Sequence, residues 1–399
     1  MREPAITVNV LNPIMATPSL VVGVGWFYEK TVPTPPEEYV RVDHESLRKF
    51  VANVLAAYGV SKEDSQIVAD VLVTADLMGI ESHGVQRLRR YTTGIQVGSV
   101  NPKAKPTVVS ESASMALVDG NSGLGQVVAY NAMEMAVKKA AEIGVSVVAV
   151  RNSHHFGIAG YYALQAVRRS MIGIVMTNAE ALVAYTHTVG RNVGTNPIAF
   201  GFPTQKPPPI LFDAATSVVP IGKIEVYAKE GKKMPHGWAI SDEGKPIDDP
   251  KEILARKGAI LPLGGLGEDF GGHKGAGLAL VVDVLCGVLT GANYGKNVKH
   301  TTAKEPANVG HFMIAINIDK LTPLEVFLER IEEYKGYVKS LKRMSENVEV
   351  WIPGEKAWLT METRKKIGVP IHKNILKELM EEGEKANVEF NIKILKETA

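Results

Sequence analysis

The sequence holds one cysteine, no excess of either charge and no long apolar run, and each shortage removes a class of protein. Cys286 alone excludes an intrachain disulfide and a zinc site built on thiolates, and it fits a reducing cytoplasm. Forty-five Lys and Arg face 43 Asp and Glu, a formal charge of +2 without basic blocks, so no electrostatic footprint for nucleic acid is present. No stretch reaches the ~18 uninterrupted apolar residues that a membrane span needs. The run over 19–27 is too short, and the run over 277–290 carries Asp283. Residues 1–40 lack the pattern of a signal peptide, because Glu3 follows Arg2 and Pro13 and Pro18 break the apolar part. They read as an extension ahead of the domain proper.

What is plentiful is glycine, 37 of 399 residues and above the roughly 7% average, within an ordinary globular composition. Leu47, Phe50, Val51, Val54 and Leu55 recur at helical spacing, with Asp43 to cap that helix and Gly59 to end it. Ser61 and Asp64 form a capping box for a second helix that Gly79 closes, and Ser82 reads as the N-cap of a third, running to about Gln96. Strands are expected at 107–109 and 115–118 and a helix over 126–143. The apolar runs 145–150 and 172–176, joined by a helix over 158–169, predict a parallel strand–helix–strand unit of right-handed sense. Further strands are expected at 198–202, 210–212 and 312–318. Residues 234–250 read as a polar surface excursion, Thr322-Pro323-Leu324-Glu325 as a capping box opening a helix to about 344, and 373–386 as a final helix.

Chemistry gathers beyond the carboxyl ends of parallel strands. The first such strand leads into Asn152-Ser153-His154-His155-Phe156-Gly157 and the second into Thr177-Asn178. Histidine is the natural proton carrier near neutral pH. His155, next to a helix start, is as good a candidate for catalysis as for packing, whereas His154 reads as structural. In Glu81-Ser82-His83-Gly84-Val85-Gln86-Arg87, His83 and Arg87 lie four apart and share a face if helical, an arrangement for gripping a carboxylate beside a proton carrier or for a capped surface turn. The glycine cluster over 264–277 is neither a Walker loop nor a dinucleotide fingerprint. It serves either as a phosphate loop with Lys274 as its cation or as a tight turn with close packing through Gly275 and Gly277. Asp213-Ala214-Ala215-Thr216-Ser217 follows an apolar strand and offers groups to a ribose, or merely caps a turn. His44, His187, His236, His300, His311 and His372 are scattered and read singly as structural.

Taken together, Ser82-His83-Gly84-Val85 with Arg87, the 152–157 run, Gly194-Thr195-Asn196-Pro197-Ile198-Ala199-Phe200, Asp213-Ala214-Ala215-Thr216-Ser217, Gly271-Gly272-His273-Lys274-Gly275 and Pro353-Gly354-Glu355 resemble the malate/L-lactate dehydrogenase type-2 family over about residues 41–390. That family also holds L-sulfolactate and ureidoglycolate dehydrogenases. The resemblance implies an α/β, non-Rossmann nicotinamide-binding fold of the L-sulfolactate dehydrogenase-like type, with a mixed central sheet and helical N- and C-terminal parts. Residues 41–105, joined by about 320–399, would form a helical part, and 106–319 a sheet-containing cofactor domain. It implies NAD- or NADP-dependent hydride transfer to a small 2-oxo acid, malate with oxaloacetate being the first expectation and lactate, sulfolactate or ureidoglycolate the alternatives. A cytoplasmic homodimer is implied as well. Carried over by motif, His155 and His83 are catalytic; Arg87, Asn196 and Thr195 bind substrate. Asp213, Ala214, Ala215, Thr216, His273, Lys274, Gly354, Glu355 and Lys356 meet the cofactor, and no metal is expected. Residues 184–190 are idiosyncratic and precede the 194–197 motif, where they could tune the pocket. A regulatory protein that binds nucleotide or anion without turnover is the reading from another class.

Overall fold

The computed structural model describes residues 36–229 and 231–395 together with two short strands, Leu20–Val21 and Trp26–Phe27. Most of the expected extension therefore lies outside the described residues. Asp43 accepts a hydrogen bond from the Ser46 amide at 2.8 Å and starts helix His44–Ala57, whose buried residues are Leu47, Phe50, Val51, Val54 and Leu55. The Ser61 hydroxyl accepts from the Asp64 amide at 3.2 Å at the head of helix Lys62–Leu77.

The third helix departs from expectation. Glu81–His83 and Val85–Arg87 are two 3-10 turns, and the α-helix begins only at Leu88 and ends at Gln96. The reason lies beneath the turns. Buried Asp76 accepts from the Val85 amide at 2.8 Å, and a Cβ on Gly84 would sit 1.8 Å from the Asp76 carboxylate. A buried carboxylate claims the amide that a continuous helix would use, and only glycine leaves room for it.

A seven-stranded mixed sheet forms the centre. From edge to edge its strands are Ile210–Ala214, Ile198–Phe202, Met171–Thr177, Val309–Asn317, Val145–Ser153, Met115–Asp119 and Thr107–Glu111. Val145–Ser153 and Met171–Thr177 do run parallel, but they are not neighbours. Val309–Asn317 inserts between them, antiparallel to both, with Phe312 opposite Ala149 on one side and Met176 on the other. The adjacent parallel pair is Met115–Asp119 with Val145–Ser153, joined across helix Gly125–Ile143.

Side chains alternate between the two faces of this sheet. Val148, Val150, Val175, Met313 and Ala315 join the main core beneath helices Gly125–Ile143 and Ala159–Val167. Ala149, Ile198 and Phe312 pack on the opposite face against Val282 and Cys286. Those two residues belong to helix Gly272–Asp283 and the π-helical turn Val284–Val288 that continues it. Cys286 is a small core residue, and burial pushes its thiol well up.

Tyr39–Val42 pairs with Val369–His372 and Ile394–Leu395 in a three-stranded sheet, tying the start of the described chain to its end. Residues 234–250 are less peripheral than their polarity implies. Met234 is buried, and Ala239–Ile240 is a strand of a four-stranded sheet with Ala259–Ile260, Ala181–Val183 and Val193–Gly194. Helix Leu324–Ser340 starts where expected but stops short of 344, and Asp319 rather than Thr322 accepts its first amide, at 2.8 Å.

Much of the surplus glycine serves close approach. A Cβ on Gly310, in the central strand, would lie 1.6 Å from the Cys286 carbonyl oxygen. Gly310→Ala must push the π-helical turn off the sheet, and a loss of roughly 3 kcal/mol in urea unfolding is expected, as for overpacked cores. An unchanged urea midpoint would contradict this packing.

Candidate active site

Two histidines from distant segments meet face to face. The rings of His83 and His155 stack with centroids 5.5 Å apart and planes inclined by 21°. His83 arrives on the first 3-10 turn, where its Nδ1 bonds the Ser82 hydroxyl at 2.9 Å. Arg364, fully buried, reaches Glu81 at 2.6 Å and the Asp76 carbonyl, so the turn is fastened from below by both a carboxylate and a guanidinium. Arg87 ends the second turn and donates its Nε to the Ser82 carbonyl at 2.6 Å.

His155 follows strand Val145–Ser153, and nearly every residue of its loop has a defined task. Asn152 is left-handed at φ 53° and donates to Asp119. The Ser153 hydroxyl meets His311, and His154 bonds the Ser99 carbonyl at 2.9 Å with no exposed surface, so His154 is structural as its position implied. Phe156 stacks on His311, and Gly157 takes φ 86°. His155 alone is left with a free edge. Its Nδ1 faces the Tyr91 hydroxyl at 2.8 Å and, more weakly, the Gly157 amide at 3.4 Å, so that nitrogen accepts and Nε2 is directed to the site.

The electrostatics of this cluster are one-sided. Among the described residues neither Arg87 nor Arg90 has a carboxylate within ion-pair distance, and Glu180 acts on Arg90 only at longer range. Burial, then Arg87 and Arg90, lower His83 to about 4. Burial, then Arg90, His83 and Arg87, hold His155 well below its ordinary value. Burial lifts the Tyr91 hydroxyl to about 12 against the pull of both arginines. His300, one of the scattered histidines taken as structural, belongs to the same neighbourhood: burial, then Arg90, lower it to about 4. The cluster is therefore a neutral proton carrier set among uncompensated cations, built to receive an anion.

The segments expected to meet a cofactor adjoin one another beside this cluster. Helix Ala159–Val167 starts four residues after His155, and its Gly160 amide donates to Asp213 at 2.7 Å. Ala214 ends that strand, and Ala215 leads to buried Thr216, which donates to the Thr195 carbonyl at 2.9 Å. Leu211 donates to the Pro353 carbonyl at 3.0 Å, and Gly354, at φ 86°, would place a Cβ 2.7 Å from Leu211. Glu355 returns to the Ile352 amide at 3.0 Å, and Lys356 lies over the Trp351 ring. Thr216 also accepts from Leu263, against which Gly275 packs, and so links to the glycine loop.

In that loop Gly264, Gly265, Gly267 and Gly271 all have positive φ, and Gly272 and Gly275 are hemmed in by backbone. A Cβ on Gly277 would meet nothing within 4 Å, contrary to the packing role considered for it. His273 and Lys274 stand exposed on the first turn of helix Gly272–Asp283. Asn196, expected near the substrate, lies in the interior. It is fully buried at φ 30°, accepting from the Ala179 amide at 3.0 Å and donating to the Ala279 carbonyl at 2.9 Å, so its amide ties the loop after Thr177 to the glycine-loop helix.

Cavity volume does not mark the chemistry. A cavity of about 550 Å³ lies among Thr74, Leu164, Pro207 and Trp358, and includes neither His83 nor His155. The idiosyncratic segment lines a smaller one of about 300 Å³, Tyr185–Val189 facing Gly265–Gly267. Among the described residues no group of three or more metal-binding side chains is present, and no helix is long and apolar enough to cross a membrane. Sequence reading passed over Tyr91, Arg90, Asp76 and Arg364. Tyr91 has a signal, since residues 83, 87 and 91 recur every four; Asp76 and Arg364 have none, because their partners lie far off or in an unforeseen turn.

The half-buried imidazole pair, beside guanidiniums that no carboxylate opposes among the described residues, has the groups for proton transfer and for holding a small anion, on a mixed α/β scaffold. Comparison with known proteins names the class. The profile of the family described as malate/L-lactate dehydrogenase matches residues 42–380. The malate dehydrogenase of Pyrococcus horikoshii is 52% identical over 353 residues, 88% of this chain and 97% of the relative. The malate/(S)-sulfolactate dehydrogenase of Methanothermus fervidus is 38% identical over 350 residues, 88% of this chain and 99% of the relative. The solved structure of the Pyrococcus horikoshii malate dehydrogenase superposes with a TM-score of 0.84 at 48% identity, covering 91% of this chain and 99% of that one. The chain belongs to the malate/L-lactate dehydrogenase family and is an oxidoreductase with that family's fold. The matched span begins at residue 42, so the N-terminal extension lies outside the family's common part.

Burial of neutral histidines has a measurable consequence. His154 falls to about 4 and His311 to about 3, both from burial, against 6.5 for a free ring. Below pH 6.5 the unfolded chain binds protons that the fold refuses, so stability is lost as pH falls from 6.5 toward 4. Thermal midpoints measured across that window should drop steadily; a flat profile would contradict the buried neutral rings. In the same window the His83 resonance should titrate near pH 4, and Arg87→Gln should move it upward by removing a positive neighbour.

Proposed function

We propose that the protein is an NAD- or NADP-dependent 2-hydroxy acid dehydrogenase that interconverts malate and oxaloacetate. The observation that carries this reading is the His155–Tyr91 hydrogen bond set against His83 and an arginine without a counter-ion. Arg87 grips the carboxylate beside the reacting carbon through its free terminal amines. In the oxidising direction the neutral His155 takes the hydroxyl proton on Nε2, while Tyr91 fixes the ring and its tautomer through Nδ1. In the reducing direction His155 must carry a proton. A bound acid anion neutralises the guanidiniums that depress it, and so raises its affinity for that proton when substrate is present. His83, stacked on His155 and steadied by Ser82, orients the pair.

The residues present fit a nicotinamide dinucleotide. The side chains of His273 and Lys274 are exposed, without hydrogen bonds to the described residues, on the first turn of a 12-residue helix, where a diphosphate finds charge and the helix N-terminus. The strand end from Asp213 to Thr216 and the turn from Gly354 to Lys356 lie together to receive the rest, and Thr195 adjoins Thr216. When bound, the nicotinamide exchanges a hydride with the carbon bearing the hydroxyl. The second reading, L-sulfolactate, is favoured by relatives of that name, including one from Methanocaldococcus jannaschii at 41% identity.

We also propose a cytoplasmic homodimer in which residues 106–319 form the cofactor domain and residues 41–105 with 320–399 the helical one. Leu280, Val281, Val284, Val288 and Leu289 make an exposed apolar stripe on the glycine-loop helix, of the kind that a second copy covers. The decisive assay is loss of absorbance at 340 nm with NADH or NADPH and oxaloacetate. His155→Ala should lower kcat/KM at least ~100-fold with the fold intact, and a wild-type rate would remove His155 from the reaction. In light scattering, Val284→Glu should halve the particle mass; an unaltered mass would place the interface elsewhere.

A further inference from the structure

The site holds a second guanidinium that neither the motifs nor the relatives' names assign. Arg90 lies three residues beyond Arg87, one turn along the same stretch, which puts their side chains on neighbouring positions of one face. Its Nε donates to the Thr301 hydroxyl at 2.9 Å. Thr301 is fully buried, and its carbonyl accepts from buried Ser99, so Arg90 is braced against a fixed loop rather than loose in solvent. Its terminal amines meet no carboxylate among the described residues. Tyr91, the next residue, bonds His155, and Thr301, the partner of Arg90, follows His300, so Arg90 borders the same cluster, where after burial its charge helps lower His83, His155 and His300. A half-buried, braced cation with no counter-ion destabilises the empty site unless a ligand supplies the missing charge.

We propose that Arg90 is a specificity-determining residue that binds the second anionic group of a dianionic 2-oxo acid, the distal carboxylate or a sulfonate in its place, while Arg87 holds the carboxylate next to the reacting carbon. This rests on the dehydrogenase reading above and deepens it. Two arginines in one site would be redundant for a monocarboxylate, which could neutralise only one of them and would leave Arg90 buried and unpaired. Discrimination between oxaloacetate and pyruvate therefore resides in Arg90, not in the histidines. Because the distal group is held alike before and during the reaction, its loss is felt in KM more than in kcat.

The test is steady-state reduction of oxaloacetate, 3-sulfopyruvate and pyruvate by the wild-type protein, Arg90→Met and Arg90→Lys, with thermal midpoints for each. Arg90→Met should lose about 100-fold more in kcat/KM for both dianions than for pyruvate, mainly through KM, whatever common change the altered field at His155 brings to all three acids. Arg90→Lys should fall between, since it keeps the charge without the fork. Equal losses on all three acids, or no loss on either dianion, overturn the assignment. If Arg90→Met does not fold, the Lys variant decides by the same criterion. A wild-type protein that reduces oxaloacetate no better than pyruvate overturns the inference alone. One that reduces none of the three overturns the dehydrogenase reading, and the inference with it.

Discussion

The interaction on which this site depends is a repulsion left unneutralised. Arg87 and Arg90 project into a half-buried cluster with no carboxylate within ion-pair distance among the described residues, and their field, together with burial, strips His83 and His155 of protons. Most proteins would place an Asp or Glu beside such guanidiniums. In the function proposed above, the opposing charge comes with the substrate, and binding and proton affinity are coupled: an anion seated on the arginines returns basicity to the histidine beside it.

That arrangement needs rigid support, because cations held together push apart. The turn bearing His83 is fastened by buried Asp76, which accepts the Val85 amide, and by buried Arg364, which reaches both Glu81 and the Asp76 carbonyl. Burial raises the Asp76 carboxyl well above its usual range, so its task is hydrogen bonding more than charge. The loop bearing His155 is fastened residue by residue, through Asp119, His311 and Ser99. Apart from Asp76, nine residues from Val85, each support comes from a segment remote in sequence, and one of them, His311, lies on the central strand Val309–Asn317. That strand pairs with two parallel neighbours at once and holds the loops beyond their ends at a fixed separation.

Part of this was legible from residue order alone, for local reasons. Asp43 and Ser61 cap their helices through side chains three residues away, so the capping is written within a few positions. The buried runs over 145–150 and 172–176 read as parallel strands because both faces are covered. The family motifs led to His83, Arg87, His155 and the turns around Asp213 and Gly354, and these segments do converge in space. The third helix was misread because the competing acceptor, Asp76, sits one helix earlier and acts only once the chain has folded back. Asn196 shows what spacing does not carry: the backbone groups that its amide meets, at residues 179 and 279, belong to other segments of the chain.

The sequence by itself determined the family, the α/β class and which short motifs carry chemistry, because those depend on residue type and on spacings of a few positions. Tertiary structure alone decided that the expected neighbouring strands are separated by a third, that Tyr91 and the Gly157 amide meet Nδ1 of His155, and that Arg90 and His300 border the same cluster. Those outcomes depend on which distant groups lose their water together. Charge repulsion, tautomer choice and the fate of a buried amide are properties of a neighbourhood, and the neighbourhood exists only after residues 83, 155 and 300 have been brought within reach of one another.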